Sequence, residues 1–171
     1  MELMHGKDFD GQDPTGWLMS EKLDGFRAAW DGEFLYSKGG GWFMEPDWFA
    51  AGLPAGVALD CELWLGRGTL RRLNSRVQRS HDDWRGIRLM VFDVIGPGTA
   101  EDRQAQLAAL TLPAHCAKVI TTTCQGRAHL RRFAASIISV GGEGAMVRRP
   151  GSPYKPGRSS DLLKVKVPSL V

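Results

Sequence analysis

Apolar and polar positions alternate in short runs along much of this chain, and a few segments switch to a helical spacing. The alternation predicts strands at Trp17 to Ser20, Phe26 to Trp30, Glu33 to Ser37, Val57 to Leu65, Lys118 to Thr122, Gly144 to Arg149 and Leu162 to Val167. Ile87 to Ile95 is almost unbroken in apolar residues, which fits a strand buried on both faces. Helices are expected at Pro46 to Ala51, at Thr69 to Arg79 with Thr69 as its cap, at Ala100 to Leu110 and at Gln125 to Val140. Lys22-Leu-Asp-Gly25 reads as a turn, and Asp31-Gly32 between two strand patterns signals a hairpin. Many strands and a few helices in mixed order predict the α+β class, with antiparallel sheets and peripheral helices.

Composition changes this picture little. The 171 residues suit one domain, 1–171, and 43% hydrophobic with 24% charged residues is the mixture of a globular protein. A net charge of +3 does not by itself indicate a nucleic-acid partner. Its distribution says more, because Arg67, Arg71, Arg72, Arg76, Arg79, Arg85 and Arg88 crowd one stretch opposed only by Asp82 and Asp83. Such a row can track a phosphate backbone through counterion release, and it can equally be a solvated helix face. Three cysteines, Cys61, Cys116 and Cys124, lack zinc-like spacing, and their odd count fits a reduced compartment. The first 20 residues carry no long apolar stretch, so neither signal peptide nor membrane span is expected. A cytoplasmic location follows, or a periplasmic one for a chain whose leader has been removed.

Five short segments carry candidate chemistry. Lys22, in Glu21-Lys-Leu-Asp-Gly-Phe-Arg27, can serve as a nucleophile once it loses its proton, with Asp24-Gly25 as the tight turn that aims it. Alone, the same residues read as a surface turn. Asp60 and Glu62, in Asp60-Cys-Glu-Leu63, emerge on one strand face, where acids can hold ribose hydroxyls or a divalent cation or simply meet water. Phe92, in Val91-Phe-Asp93, is a core residue by pattern or a stacking partner for a purine, and strict alternation puts Asp93 on the opposite face. Glu143 follows two glycines at the start of a strand, placed to meet a phosphate or a metal. Lys164 and Lys166 alternate with Val165 and Val167, so two ammonium groups share a face and call for an anion between them. In this order the set is what a lysine needs to attack the α-phosphate of a nucleotide.

The set resembles the covalent nucleotidyltransferases, namely DNA ligases, RNA ligases and mRNA capping enzymes, and looks most like minimal bacterial ATP-dependent DNA ligases. The resemblance runs from about Trp17 to Val167 and includes Leu59-Asp-Cys-Glu-Leu-Trp-Leu-Gly-Arg-Gly68 and Tyr154-Lys-Pro-Gly-Arg-Ser159. It implies a ligase-type adenylyltransferase fold with antiparallel sheets flanking a nucleotide cleft. Lys22 would be the adenylylated nucleophile, Glu21, Arg27 and Glu62 would contact the nucleotide, and Phe92 would stack on adenine. Glu143, with Glu62, would hold Mg²⁺ or Mn²⁺, and Lys164 and Lys166 would grip the α-phosphate. ATP would supply the covalent AMP, and nicked double-stranded DNA would be the substrate of a monomeric enzyme in repair, replication or recombination.

Two departures accompany the resemblance. Lys38 stands where family members commonly carry an arginine for the nick 5′-phosphate, keeping the charge without the bidentate fork. With Arg67, Arg71, Arg72 and Arg76 it makes up the expected nucleic-acid contacts. Relatives continue into an OB-fold domain, and this sequence stops five residues after Lys166, so that clamp is expected to be missing or separate. An RNA ligase, a capping-type enzyme or a nick-binding module without turnover are the alternative readings.

Overall fold

A computed structural model describes residues 1–79 and 84–166; Asp82, Asp83 and Val167, which entered the expectations above, lie outside them. The elements are β1 Met4–Asp8, β2 Leu18–Lys22, β3 Phe26–Trp30, β4 Leu35–Ser37, α1 Asp47–Ala50, β5 Leu59–Trp64, α2 Leu70–Arg79, β6 Arg88–Val94, α3 Ala100–Ala109, β7 Cys116–Lys118, β8 Thr122–Thr123, α4 Arg127–Ser139, β9 Gly144–Arg148 and β10 Gly157–Val165. They form two five-stranded sheets and few helices, the α+β class that the alternation predicts. No helix among the described residues is long and apolar enough to cross a membrane.

The chain divides into two compact units. The first comprises Asp24–Gly96 and Arg103–Lys118 and holds the sheet β4-β3-β5-β6-β7. One face of that sheet is apolar: Ala28, Trp30, Leu35, Leu59, Cys61, Leu63, Leu89 and Val91 join Phe49, Leu73 and Trp84 in a buried cluster. The alternation in β3 and β5 sends Arg27, Ala29, Asp60 and Glu62 to the opposite face. Burial pushes the Cys116 thiol up to about 11, and burial, then the charge of Asp60, pushes Cys61 well up, so these thiols act as core residues.

The second unit comprises Glu2–Leu23, Pro97–Asp102 and the chain from Val119, and holds the sheet β1-β10-β9-β2-β8. Met19, Ala145, Val147, Leu163 and Val165 pack with Leu130 and Ala134 of α4 in its own core. Both sheets are antiparallel apart from one parallel edge pair each, β1 with β10 and β6 with β7.

Four expectations shift. β1 was not foreseen: only Leu3 and Met4 are apolar there, and its pairing lies some 150 residues away. β10 begins at Gly157, because β1 pairs with its polar first half, Gly157 to Ser159, which has no strand-like pattern. The strand expected at Lys118 to Thr122 is two: β7 pairs with β6 in the first unit and β8 with β2 in the second, separated by Ile120, which is 84% exposed. Thr69 sits where a cap should, its carbonyl accepting the Leu73 N–H, but its hydroxyl donates back to the Gly66 carbonyl.

Gly144 shows how tightly the second sheet is drawn. Its φ is +145°, and a Cβ there would lie 2.1 Å from the Val165 carbonyl oxygen. Gly144→Ala is expected to destabilise by at least about 1–3 kcal/mol from the backbone conformation alone, with the overlap in addition. Gly141→Ala, at φ +85° with nothing within 4 Å of its Cβ, should lose only the conformational part. Urea unfolding midpoints check the difference, and equal losses would remove the overlap as a cause.

Candidate functional site

In the second unit, β2 runs through Lys22, so the lysine is the last paired residue of a strand, opposite Gly144, and the turn comprises Leu23 to Gly25 only. Glu143 reaches it from the end of α4. There the Gly142 N–H donates to the Ile137 carbonyl (2.9 Å) and the Gly141 N–H to the Ile138 carbonyl (3.0 Å), a Schellman ending with Gly141 in the left-handed region. Gly142 is pressed against the helix, a Cβ falling 2.3 Å from the Ile137 side chain. The chain therefore leaves the helix in one direction and puts Glu143 beside Lys22.

Lys22 Nζ donates to Glu143 Oε2 at 2.5 Å, and Lys166 Nζ approaches Glu143 Oε1 at 2.9 Å. The side chains of Lys22 and Glu143 are 19% and 27% exposed. Burial raises the Glu143 pKa, but the hydrogen bonds and charges of Lys22 and Lys166 outweigh it and hold the carboxyl below its ordinary value. Lys164, expected to share an anion with Lys166, instead pairs with Asp8 of β1 at 3.3 Å. The anion between paired cations is thus Glu143, and the pair it joins is Lys22 and Lys166. Glu21 is not brought to this cluster. It lies opposite Ala145, on the α4 side of β2, where Glu21 Oε1 is 3.2 Å from the position of a Gly142 Cβ.

The first unit builds a second charged face. Arg27 grips Asp60 with two bonds, Nε to Oδ1 at 2.5 Å and Nη2 to Oδ2 at 2.7 Å, and its guanidinium carbon sits 4.8 Å from the centre of the Phe92 ring. Asp60, read from the sequence as an acid for ribose or metal, is 1% exposed and serves to aim Arg27. Glu62 Oε1 accepts the Gly25 N–H (3.1 Å), and a Gly25 Cβ would lie 2.1 Å from the Leu63 carbonyl oxygen, so the turn after Lys22 is tied to β5. Lys38 is exposed, and its N–H donates to the Arg27 carbonyl (3.2 Å), which places it next to Arg27 across the strands.

Phe92 corrects a sequence-based expectation. Cys61 pairs with Val91 and Asp60 with Asp93, so Phe92 is the extra residue of a β-bulge, and both Phe92 and Asp93 lean to the Asp60 face. Two α3 residues complete this arrangement, and sequence reasoning missed both. Gln104 Nε2 donates to the Phe92 carbonyl (2.9 Å), and the fully buried Arg103 donates to Asp93 (Nε to Oδ1, 2.9 Å). An arginine ten residues after an acid in a core strand was their only signal in the sequence.

Of the arginine row, Arg67, Arg71 and Arg72 are exposed. Arg76 is engaged with the protein, donating to the Arg85 carbonyl at 2.6 Å. Among the described residues no three His, Cys, Asp or Glu side chains form a metal-binding group. The residues fit Mg²⁺ only in its usual substrate-assisted form, with one carboxylate, Glu143, and phosphate oxygens of a ligand. Glu62 has one oxygen committed to Gly25.

Residues 51–166 match the family model of the ATP dependent DNA ligase domain. A DNA ligase of Haemophilus influenzae is 35% identical across 96% of this chain, and the chain spans 63% of that protein's length. A solved Lig E DNA ligase superposes with a TM-score of 0.90 at 31% identity, covering 97% of this chain and 68% of that one. The Chlorella virus DNA ligase-adenylate superposes with a TM-score of 0.80 at 21% identity, covering 97% and 67%, a likeness of fold.

The Glu143 cluster has a pH signature. Because its carboxyl is held below the ordinary value when folded, it contributes stability above the unfolded pKa and loses it as pH falls through the folded one. Between about pH 6 and about pH 3, wild-type stability should fall more steeply than that of Glu143→Gln. Denaturant titrations at several pH values check this; parallel curves would show that the lysines do not hold the carboxylate charged.

Proposed function

Since this chain belongs to the ATP-dependent DNA ligase domain family, we propose that it is the adenylyltransferase domain of an ATP-dependent DNA ligase. The observation that carries the reading is the Lys22–Glu143–Lys166 cluster: a lysine fixed at a strand end, with its ammonium on a carboxylate that a second lysine also holds. The family membership favours DNA joining over the RNA-ligase and capping readings.

In this reading Lys22 Nζ attacks the α-phosphate of ATP. The Lys22 ammonium loses one proton to water, a nitrogen–phosphorus bond forms, the bond to the pyrophosphate oxygen breaks with its electron pair, and the second nitrogen proton leaves to the departing pyrophosphate or to water. Glu143 is held too acidic to be an effective base at neutral pH, so its part is to aim the amine until the proton leaves. Lys166 and Lys164 offset the charge that builds on the α-phosphate. Arg27, fixed by Asp60, and Glu62 meet the ribose, and Phe92 stacks on the base. Mg²⁺, held by Glu143 and phosphate oxygens, supplies charge neutralisation when bound. AMP then passes to the 5′-phosphate at a DNA nick, and the 3′-hydroxyl displaces it and seals the strand. Lys38, Arg67, Arg71 and Arg72 are the phosphate contacts, and the protein acts as a monomer.

Incubation with α-labelled ATP and Mg²⁺, followed by denaturing electrophoresis, tests the reading. A covalent label is expected on wild-type protein and none on Lys22→Ala or Lys22→Arg. Lys166→Ala should slow labelling about 100-fold, the usual loss when one charge-stabilising donor is removed. Label that persists in Lys22→Ala, or that appears with GTP and not ATP, would overturn the assignment.

A further inference from the structure

The nucleotide-facing side of the first sheet does not end at Arg27. Across the strands, register sets two rows on that face. One runs Met90, Glu62, Arg27 and then Lys38; the other runs Asp93, Asp60, Ala29, Tyr36 and then Trp42, which bridges to Tyr36 beyond β4. Leu35 and Phe43 turn inward to the core, so Phe34, Tyr36 and Trp42 turn to the outer face. Their rings form a cluster, Phe34 to Trp42 at 4.7 Å and Tyr36 to Trp42 at 5.2 Å between centroids. Trp42 is nevertheless 62% exposed and Phe34 38%, unlike the buried Trp30 and Trp84 of the same unit.

Resting on the ligase reading, we propose that Trp42, backed by Tyr36 and Phe34, is a second nucleic-acid contact. It packs against the sugars and base edges of the strand that carries the nick 5′-phosphate. The cluster ends the row beside the one that ends in the exposed Lys38, on the same face. Neighbouring strands lie about 4.8 Å apart, so Trp42 is three steps, about 14 Å, from the acids of β5. At about 3.4 Å per nucleotide step that is roughly four steps along a duplex, and Lys38, one strand beyond Arg27, falls within that span. Asp31 and Glu33 sit at the hairpin tip, on the other side of Tyr36 in sequence from Lys38. Asp31 is already turned inward, accepting the N–H groups of Glu33 and Phe34.

A protein partner fits the patch less well. Three aromatic side chains offer about 200 Å² each when fully exposed, and these are only partly exposed, against about 800 Å² per partner in a stable interface. One exposed indole beside a lysine is the scale of a base or sugar contact. It also suits a site in which Lys38 supplies charge without the bidentate fork of an arginine, because an apolar contact adds affinity that salt does not screen.

Binding of a labelled duplex with a 5′-phosphorylated nick, followed by anisotropy over a range of salt, tests this. Trp42→Ala should raise Kd about 5- to 150-fold, the span of one aromatic contact to a nucleotide, with the salt slope unchanged. Trp42→Phe should recover most of the affinity, and Lys38→Ala should instead lower the slope of log K against log salt by about 0.9. A change under twofold for Trp42→Ala, a Trp42→Phe as weak as Trp42→Ala, or sedimentation showing a dimer that Trp42→Ala dissociates would overturn the contact. Wild-type protein that forms the Lys22 adduct while giving any of those results leaves the ligase reading standing. Wild-type protein that neither forms the adduct nor binds the nicked duplex overturns both.

Discussion

Like charges that a sheet brings to one face must be neutralised where they stand, and the two charged faces of this protein are organised around that constraint. Two unit charges 4 Å apart repel by about 4 kcal/mol at an effective dielectric near 20, a large fraction of what holds a domain of this size together. Lys22 and Lys166 are brought close by β2 and the end of β10, and Glu143 stands between them. Lys164 takes Asp8. In the first unit, register sets the carboxylates of Asp60 and Asp93 opposite one another, and each has its own arginine, Arg27 and Arg103. Removing one partner of such a buried pair would leave an uncompensated charge, which is why the pairs come in complete sets.

Backbone geometry places these partners, and it does so at positions where a side chain would not fit. Gly142 and Gly144 flank Glu143, and each would drive a Cβ to within about 2.3 Å of a neighbouring atom. Gly25 does the same against Leu63 and lets Glu62 hold the turn after Lys22. The bulge at Phe92 adds one residue to β6 and converts an inward-outward alternation into two successive residues on the charged face. Its freed carbonyl is then bonded by Gln104. Charge, glycine and bulge are therefore one arrangement: the ion pairs need the close approaches, and the close approaches leave no room for other residues.

What the sequence made legible divides along the same line. β3 was readable to the residue, because Phe26, Ala28 and Trp30 face one core while Arg27 and Ala29 lie on the other face of the sheet, and period-two alternation is a local signal. The class of fold, most strands and helices, and the candidacy of Lys22, Glu143, Lys164 and Lys166 were readable too. Pairing was not. That Lys164 takes Asp8 depends on a parallel strand 150 residues away, and that 118–122 serves two units depends on which edges are open. Alternation assumes an unbroken ladder, so it placed Phe92 and Asp93 on opposite faces, which the bulge contradicts. The same rule, applied to Glu21 and Lys22, would have separated them correctly.

A cluster compensated in advance also constrains the chemistry that can follow. In the ligase reading the amine of Lys22 cannot attack while it donates to Glu143, and a carboxyl that two ammonium groups hold below its ordinary pKa is a poor base for that proton. A polyphosphate changes the balance. In the ligase reading its oxygens would offer Lys166 a second anion, and a divalent cation bound to them would give Glu143 a partner other than lysine. As each lysine–carboxylate contact is exchanged, Lys22 would lose the acceptor that holds it. The resting ion pairs are then more than ballast for the fold. In the ligase reading they would keep Lys22 aligned, and release it when a ligand has replaced the carboxylate.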